Sequence, residues 1–147
     1  MSDFTFITPR LATGGGVNSA VDAQALKAAG ITHIIDCRDD VDDAPVLTGL
    51  GLAYLWNPTP DDGLVKPPAW FATSLTFALG ALVQPHTRVL NHCAAGINRG
   101  PSTAFGVMRA LGWTAVQAEA LIRAVRPQVG LRYKADADAA VSALGYT

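Results

Sequence analysis

Residues 88–102 read RVLNHCAAGINRGPS, and this stretch decides how the rest of the sequence is interpreted. Its first five residues, 88–92, have Val89 and Leu90 at their centre and predict a short strand. Small residues and Gly96 follow. Pro101 then stands where a helix can begin, because proline is favoured in the first helical turn. The stretch therefore predicts a strand, a tight loop and a helix in direct succession.

A loop of this kind directs its backbone N–H groups inward at the start of a helix, where the helix dipole adds partial positive charge. Such a cup suits a tetrahedral oxyanion such as phosphate. The planar guanidinium of Arg99 can cross the same cup and hold two oxygens. The residues predicted to bind phosphate are Ala94, Ala95, Gly96, Ile97, Asn98 and Arg99.

Cys93 stands at the bottom of this predicted cup, six positions before Arg99. The helix dipole, the loop amides and the guanidinium all favour the thiolate, which is the nucleophilic form of cysteine. A lone cysteine at a strand end is more often a small core residue. However, His, Gly and Arg at these offsets from one of two cysteines would arise by chance in roughly 2 of 10,000 such sequences. The segment therefore predicts a nucleophile beneath a bound anion.

Predicted strands and helices alternate along the rest of the chain. The strands cover 4–7, 11–14, 31–37, 52–57 and 88–92, and the helices cover 20–29, 44–50, 68–82, 101–111, 115–125 and 134–144. This order predicts an α/β fold with a central, mostly parallel, twisted sheet of about four to five strands flanked by helices on both sides. We expect residues 1–147 to form a single catalytic domain, with its ligand at the carboxyl ends of the strands.

Composition narrows the classes of protein. Half of the residues are apolar and the net charge is −1, which argues against disorder and against a nucleic-acid partner. Residues 1–87 hold four basic and nine acidic groups, whereas residues 88–147 hold seven basic and three acidic groups. An anion site is therefore expected in the second part. Two cysteines, no visible secretory signal and no unbroken apolar span predict a cytoplasmic protein, and we expect a monomer.

Residues 92–102 resemble the Cys-x5-Arg signature of the cysteine-dependent protein tyrosine phosphatase superfamily. The small size and the position of the loop resemble the atypical dual-specificity branch. Residues 7–11 look like its opening strand pair, and residues 30–36 look like its next strand. The resemblance implies a phosphatase-type fold and a phosphomonoester hydrolase of class EC 3.1.3. The implied reaction passes through a phosphocysteine intermediate and needs no metal or cofactor. Phosphotyrosine and phosphoserine or phosphothreonine proteins, or small phosphomonoesters, are the implied substrates.

The resemblance also implies an aspartate, some thirty residues before the cysteine, that protonates the leaving oxygen. Asp61 and Asp62 lie 32 and 31 positions before Cys93, in a proline-rich loop. An Asp-Asp-Gly sequence is also ordinary turn chemistry, which is compatible with presenting an acid at a loop tip. Asp62 is the preferred general acid, and Asp61 is the alternative.

Four further positions take roles from the resemblance. His92 is expected to orient the loop and tune the cysteine. Gly100 stands where a serine or threonine usually helps the thiolate to leave, which implies slow hydrolysis of the intermediate. Ser102 is a substitute donor, although a place in the first helical turn is the simpler interpretation. Cys37 is a candidate redox partner for the nucleophile, although a core position is the simpler interpretation.

Other interpretations remain open. A non-catalytic phosphate-binding pseudo-phosphatase would use the same cup, and a phospholipid or phosphoglucan could be the substrate. A sulfurtransferase explains less of the pattern. The loop carries no lysine, which favours substrates with a single phosphate. Arg126 and Arg132 either line the cup or are solvated, and the acidic residues 39–43 are most simply a solvated turn.

Overall fold

The computed structural model describes residues 2–147. The strands are β1 (Phe4–Thr8), β2 (Leu11–Gly14), β3 (His33–Asp36), β4 (Ala53–Trp56) and β5 (Val89–His92). The helices are α1 (Ala20–Ala28), α2 (Ala44–Leu47), α3 (Pro68–Leu82), α4 (Arg99–Ala110), α5 (Ala115–Val125) and α6 (Lys134–Ala143). None of these helices is long and apolar enough to cross a membrane.

The five strands form one sheet in the order β1-β2-β5-β3-β4. Only β1 and β2 pair antiparallel, and the other neighbours are parallel. The central strand β5 therefore has a parallel neighbour on each side, and its carboxyl end meets the carboxyl ends of β2 and β3. The predicted fold class is confirmed.

Two apolar layers enclose this sheet. Val89 and Cys93 belong to the larger layer, which includes residues of α3, α4, α5 and α6. Leu90 belongs to the smaller layer, which α1 and α2 cover. Successive residues of a strand point to opposite faces, so Val89 and Leu90 enter different layers. All four residues of β5 are buried, including the polar Asn91 and His92.

Local sequence signals set most helix ends. The Ser19 side chain caps α1, and Thr114 with Gln117 forms the predicted capping box of α5. The predicted start of the fourth helix at Pro101 is two residues late, because α4 begins at Arg99. Pro101 still lies in the first turn, where its missing N–H costs nothing.

Candidate active site

The anion loop, residues 93–98, joins β5 to α4 at the carboxyl edge of the sheet. The carbonyl oxygens of residues 94–98 all accept hydrogen bonds from groups outside the loop. The amide hydrogens of the same residues find no acceptor within residues 2–147. Because the C=O of one residue and the N–H of the next point in opposite directions across a peptide plane, the outward carbonyls of residues 94–98 direct the N–H groups of residues 95–99 into the cup. The geometry is the one that an oxyanion site requires.

Arg126 anchors the anion loop from behind. Its side chain is buried, its Nε donates to the carbonyl of Gly96 at 2.8 Å, and its Nη2 donates to that of Ala95 at 3.2 Å. The outer edge of the guanidinium pairs with Asp3 at 2.9 and 3.0 Å. The two interpretations from sequence, a solvated arginine or one that lines the cup, are both wrong for Arg126. Its role here is to hold carbonyls outward.

Backbone amides anchor the rest of the loop. The N–H of Gly16 donates to Ala94, and those of residues 130–131 donate to Ile97, at 2.9 to 3.1 Å. Gly96 adopts a φ of +67°, and a Cβ there would lie 2.5 Å from the backbone of Gly14. Only glycine fits this close approach of the anion loop to the end of β2.

The Arg99 guanidinium is buried at the same edge of the sheet. Its Nη1 donates to the carbonyl of Thr59 at 2.9 Å and to Asp39 Oδ1 at 3.3 Å. Its Nε is buried without an acceptor among the described residues. An unsatisfied buried N–H is costly, and an oxyanion in the cup is the kind of group that would accept from it. Cys93 is 3% exposed at the base of the loop, where its N–H donates to the carbonyl of Gly14.

The acidic segment 39–43 is more than the solvated turn expected from sequence. Asp43 is fully buried, and its Oδ2 accepts from His92 Nε2 at 2.5 Å. His92 Nδ1 lies 3.4 Å from the carbonyl oxygen of Cys93. The imidazole is therefore fixed between an acid and the backbone of the candidate nucleophile. Its predicted effect on the cysteine stays a prediction.

A buried arginine completes this cluster. Arg38 Nε and Nη2 donate to the two oxygens of Asp36 at 3.1 Å, and Nη2 also contacts Asp43. Burial raises the pKa of Asp36, and the bonds from Arg38 oppose that shift. Asp36, Asp43 and His92 lie close enough together to hold a metal ion. The Arg38 guanidinium already supplies the positive charge there, so the geometry fits a salt-bridge network.

The two candidate acids point in different directions. Asp61 Oδ1 accepts from the hydroxyl of Tyr133 at 2.6 Å, and its Oδ2 accepts from Nδ2 of Asn98 in the anion loop at 3.2 Å. Asp62 turns away and accepts from Lys66 Nζ at 2.9 Å. This bond, with one from the N–H of Leu64, lowers the pKa of Asp62. The structure thus brings Asp61, and not the preferred Asp62, to the anion loop.

Three further predicted positions lie near the anion loop: Arg132, Ser102 and Gly100. Arg132 is half exposed, with Nη1 3.8 Å from Asp61 Oδ1. The Ser102 hydroxyl is buried in the first turns of α4 and accepts from the N–H of Tyr133 at 3.1 Å. A Cβ at Gly100 would lie 2.9 Å from the carbonyl oxygen of Asn91. The close packing of α4 on β5 therefore leaves no room for a hydroxyl-bearing side chain at position 100.

Cys37 lies beside the candidate nucleophile. Parallel pairing aligns Asp36 with His92, so Cys37 and Cys93 follow at the ends of neighbouring strands. Both thiols are free. Burial raises the pKa of Cys37, and the nearby Cys93 sulfur raises it further. Cys37 is therefore a buried core thiol at the strand end next to that of Cys93.

Sequence reasoning did not identify Asp39, Asp43, Thr59 or Tyr133 as parts of this site. A partial signal for Asp43 existed, because Asp36 ends β3 beside His92 and the acidic segment follows within a few residues. Tyr133 carried no such signal, since nothing local relates it to Asp61, which is 72 positions away.

Comparison with known proteins gives partial sequence matches. No family model matches the chain. Dual specificity protein phosphatase 26 of Rattus norvegicus is 30% identical over 87 residues, which cover 58% of this chain and 41% of that protein. Dual specificity protein phosphatase 2 of Mus musculus is 33% identical over 85 residues, which cover 58% of this chain and 26% of that protein. The match thus spans less than half of each relative.

Solved structures match over nearly the whole chain. PTPMT1 in complex with PI(5)P has a TM-score of 0.79 at 14% identity, covering 97% of this chain and 99% of that one. DUSP15 has a TM-score of 0.78 at 22% identity, covering 95% and 87%. A human tyrosine phosphatase-like serine/threonine/tyrosine-interacting protein has a TM-score of 0.75 at 22% identity, covering 98% and 96%. Together with the sequence matches, these confirm the resemblance to the dual-specificity branch of the cysteine-dependent protein tyrosine phosphatase superfamily.

Replacing Arg126 by lysine tests the anchoring of the loop. Lysine keeps the charge but cannot donate to two carbonyls and Asp3 at once. We expect the affinity for inorganic vanadate, measured by calorimetry, to fall about tenfold, or roughly 1.4 kcal/mol. Arg123→Lys, at a partly exposed arginine of α5, is the matched control and should bind as the unmodified protein does. Equal affinity in all three proteins would show that Arg126 does not shape the cup.

Proposed function

We propose that the chain is a cysteine-dependent phosphatase of the dual-specificity type, which hydrolyses phosphomonoesters on phosphotyrosine and phosphoserine or phosphothreonine proteins. One observation carries the proposal. The anion loop turns five successive carbonyls away from its centre, and its unpaired amides surround the position that follows β5, where Cys93 stands. Nearly the same arrangement with an inert residue at 93 would bind phosphate without cleaving it.

In the first step the Cys93 sulfur attacks phosphorus, so that an S–P bond forms as the P–O bond to the leaving group breaks. The loop amides and Arg99 hold the equatorial oxygens, on which negative charge is greatest in the transition state. Asp61 gives its proton to the leaving oxygen. The products of this step are the free alcohol or phenol, phosphocysteine and the Asp61 carboxylate.

In the second step water attacks the phosphocysteine and gives a proton to the Asp61 carboxylate. The P–S bond breaks, inorganic phosphate leaves and the Cys93 thiolate is restored. A hydroxyl at position 100 would stabilise the leaving sulfur, but Gly100 has none and packs too closely against Asn91 for a larger side chain. We therefore expect this step to limit turnover.

The surroundings of the cup support a substrate with one phosphate. Asp39 and Asp61 stand at its rim, and Arg132 is the one exposed cation within 4 Å of them among the described residues. A polyphosphorylated headgroup would meet this acidic rim unfavourably. The PTPMT1 structure was solved with PI(5)P. A phosphoinositide is therefore tested beside the phosphopeptides below.

We further propose that residues 1–147 act as one catalytic domain, because both apolar layers pack on the same sheet. A cytoplasmic location and a monomeric state are part of the same proposal. A thiol nucleophile needs a reducing compartment, and both cysteines are free.

Pre-steady-state kinetics test the function. With p-nitrophenyl phosphate we expect a burst of nitrophenol followed by slow turnover, and no release from Cys93→Ser. Phosphotyrosine and phosphoserine peptides should be hydrolysed faster than a phosphoinositide or a phosphoglucan. Turnover that survives in Cys93→Ser would contradict the mechanism, and turnover without a burst would contradict slow hydrolysis of phosphocysteine.

A non-catalytic phosphate-binding module is the second candidate, and Gly100 is the observation that favours it. Such a module would bind a phosphopeptide with the same affinity in the unmodified protein and in Cys93→Ser, and neither would release phosphate. The same experiment therefore separates the two functions.

Asparagine substitutions distinguish the candidate acids. Asp61→Asn should lower kcat/KM for phenyl phosphate by about 10²-fold, because a basic phenolate must then leave without a proton. Asp62→Asn is the matched control, since its carboxylate is engaged with Lys66, and we expect a change below about twofold. kcat/KM is measured because it reports formation of phosphocysteine. A larger loss of kcat/KM in Asp62→Asn than in Asp61→Asn would instead identify Asp62 as the general acid, as the sequence predicted.

Oxidation tests the proposed partnership of Cys37 and Cys93. Peroxide converts the Cys93 thiolate to a sulfenic acid, the Cys37 sulfur attacks it, and water leaves as the disulfide forms. Intact mass should show the loss of two hydrogens, reversed by dithiothreitol, and Cys37→Ser should instead gain oxygens. Irreversible sulfinic acid in the unmodified protein, without loss of two hydrogens, would exclude the pair.

A further inference from the structure

Tyr133 is a buried phenol whose hydroxyl meets the candidate general acid. We infer that Tyr133 is a positioning residue, which holds the Asp61 carboxylate over the anion loop with one oxygen facing the leaving group. The inference rests on the proposed function, because it assigns a role toward Asp61 in that reaction. Nothing in the sequence pattern indicates it.

The phenolic oxygen makes two hydrogen bonds to the same turn. It donates to Asp61 Oδ1 at 2.6 Å and accepts from the N–H of Gly63 at 3.0 Å. Tyr133 is 1% exposed, whereas the Asp61 side chain that it contacts is 34% exposed, so a fixed phenol holds an acid that still faces the cup. A loop of otherwise exposed residues is thereby fixed at the position where its acid stands.

Tyr133 is itself fixed to the helix that carries the anion-binding arginine. Its N–H donates to the hydroxyl of Ser102 in α4 at 3.1 Å, and α4 begins at Arg99. The Lys66 Nζ lies 4.9 Å from the centre of its ring, a cation–π contact on the side of the acid loop. The distance between acid and anion site is thus set through a short series of rigid contacts.

The two oxygens of Asp61 have different partners. Oδ1 is engaged with Tyr133, whereas Oδ2 faces Asn98 of the anion loop at 3.2 Å. Tyr133 therefore leaves Oδ2 as the oxygen that carries the proton. That proton passes to the leaving oxygen as the P–O bond breaks, and Oδ2 later takes a proton from the attacking water. Fixing the acid beforehand avoids ordering it during the reaction, and a misplacement of about 1 Å can cost up to 10²-fold.

The test compares Tyr133→Phe with the unmodified protein on aryl phosphates of increasing leaving-group basicity. We expect kcat/KM to fall about tenfold for phenyl phosphate and less than about twofold for p-nitrophenyl phosphate, whose leaving group needs little protonation. Tyr146→Phe, at a partly exposed tyrosine near the end of the chain, is the matched control and should show neither change. If Tyr133 were purely structural, its replacement would lower thermal stability and would lower kcat/KM by the same factor for every aryl phosphate.

A double substitution isolates the pathway through the acid. Tyr133→Phe should have no further effect in an Asp61→Asn background, because the group that it positions is already absent. Additive losses, or an equal fall for every leaving group, would overturn the inference while leaving Asp61 as the acid. If the loss of kcat/KM in Asp61→Asn did not depend on the leaving group, neither the role of Tyr133 nor that of Asp61 would stand. Phosphatase activity in Cys93→Ser would overturn the proposed function itself.

Discussion

Hydrogen bonding of the anion-loop carbonyls to the rest of the chain is the constraint on which the site depends. A loop of small residues has no intrinsic preference for presenting its amides to one side. Here the loop carbonyls accept hydrogen bonds from outside the loop, donated by Gly16, Arg126 and residues 130–131. Because each carbonyl points outward, the N–H group on the other side of its peptide plane points inward. Because Arg126 also pairs with Asp3, segments from both ends of the chain converge on this loop.

Several acidic residues of the first half of the chain lie at the candidate site. Asp43 binds His92 next to Cys93, Asp39 contacts the Arg99 guanidinium, and Asp61, the proposed acid, contacts Asn98 of the anion loop. A buried ion pair contributes little net stability but costs several kcal/mol when one partner is removed. The Arg38 cluster therefore gives the edge of the sheet a defined arrangement of charges.

Much of the fold followed from local patterns, because apolar periodicity, Ser19 and Thr114 caps and glycine stops act within a few residues. The spacing of Cys93 and Arg99 is likewise local, so the centre of the site was visible in the sequence. The contacts that complete it are not local. His92 to Asp43, Arg126 to Gly96 and Tyr133 to Asp61 join residues 49, 30 and 72 positions apart. Only the tertiary arrangement could show that Asp61 faces the loop.

A crystal structure of the protein with bound vanadate examines the cup most directly. The account predicts vanadium bonded to Cys93 Sγ, with its equatorial oxygens accepting from the amides of residues 94–98 and from the Arg99 guanidinium, Nε included. Vanadate bound elsewhere, or a loop whose amides donate to protein acceptors instead, would contradict it.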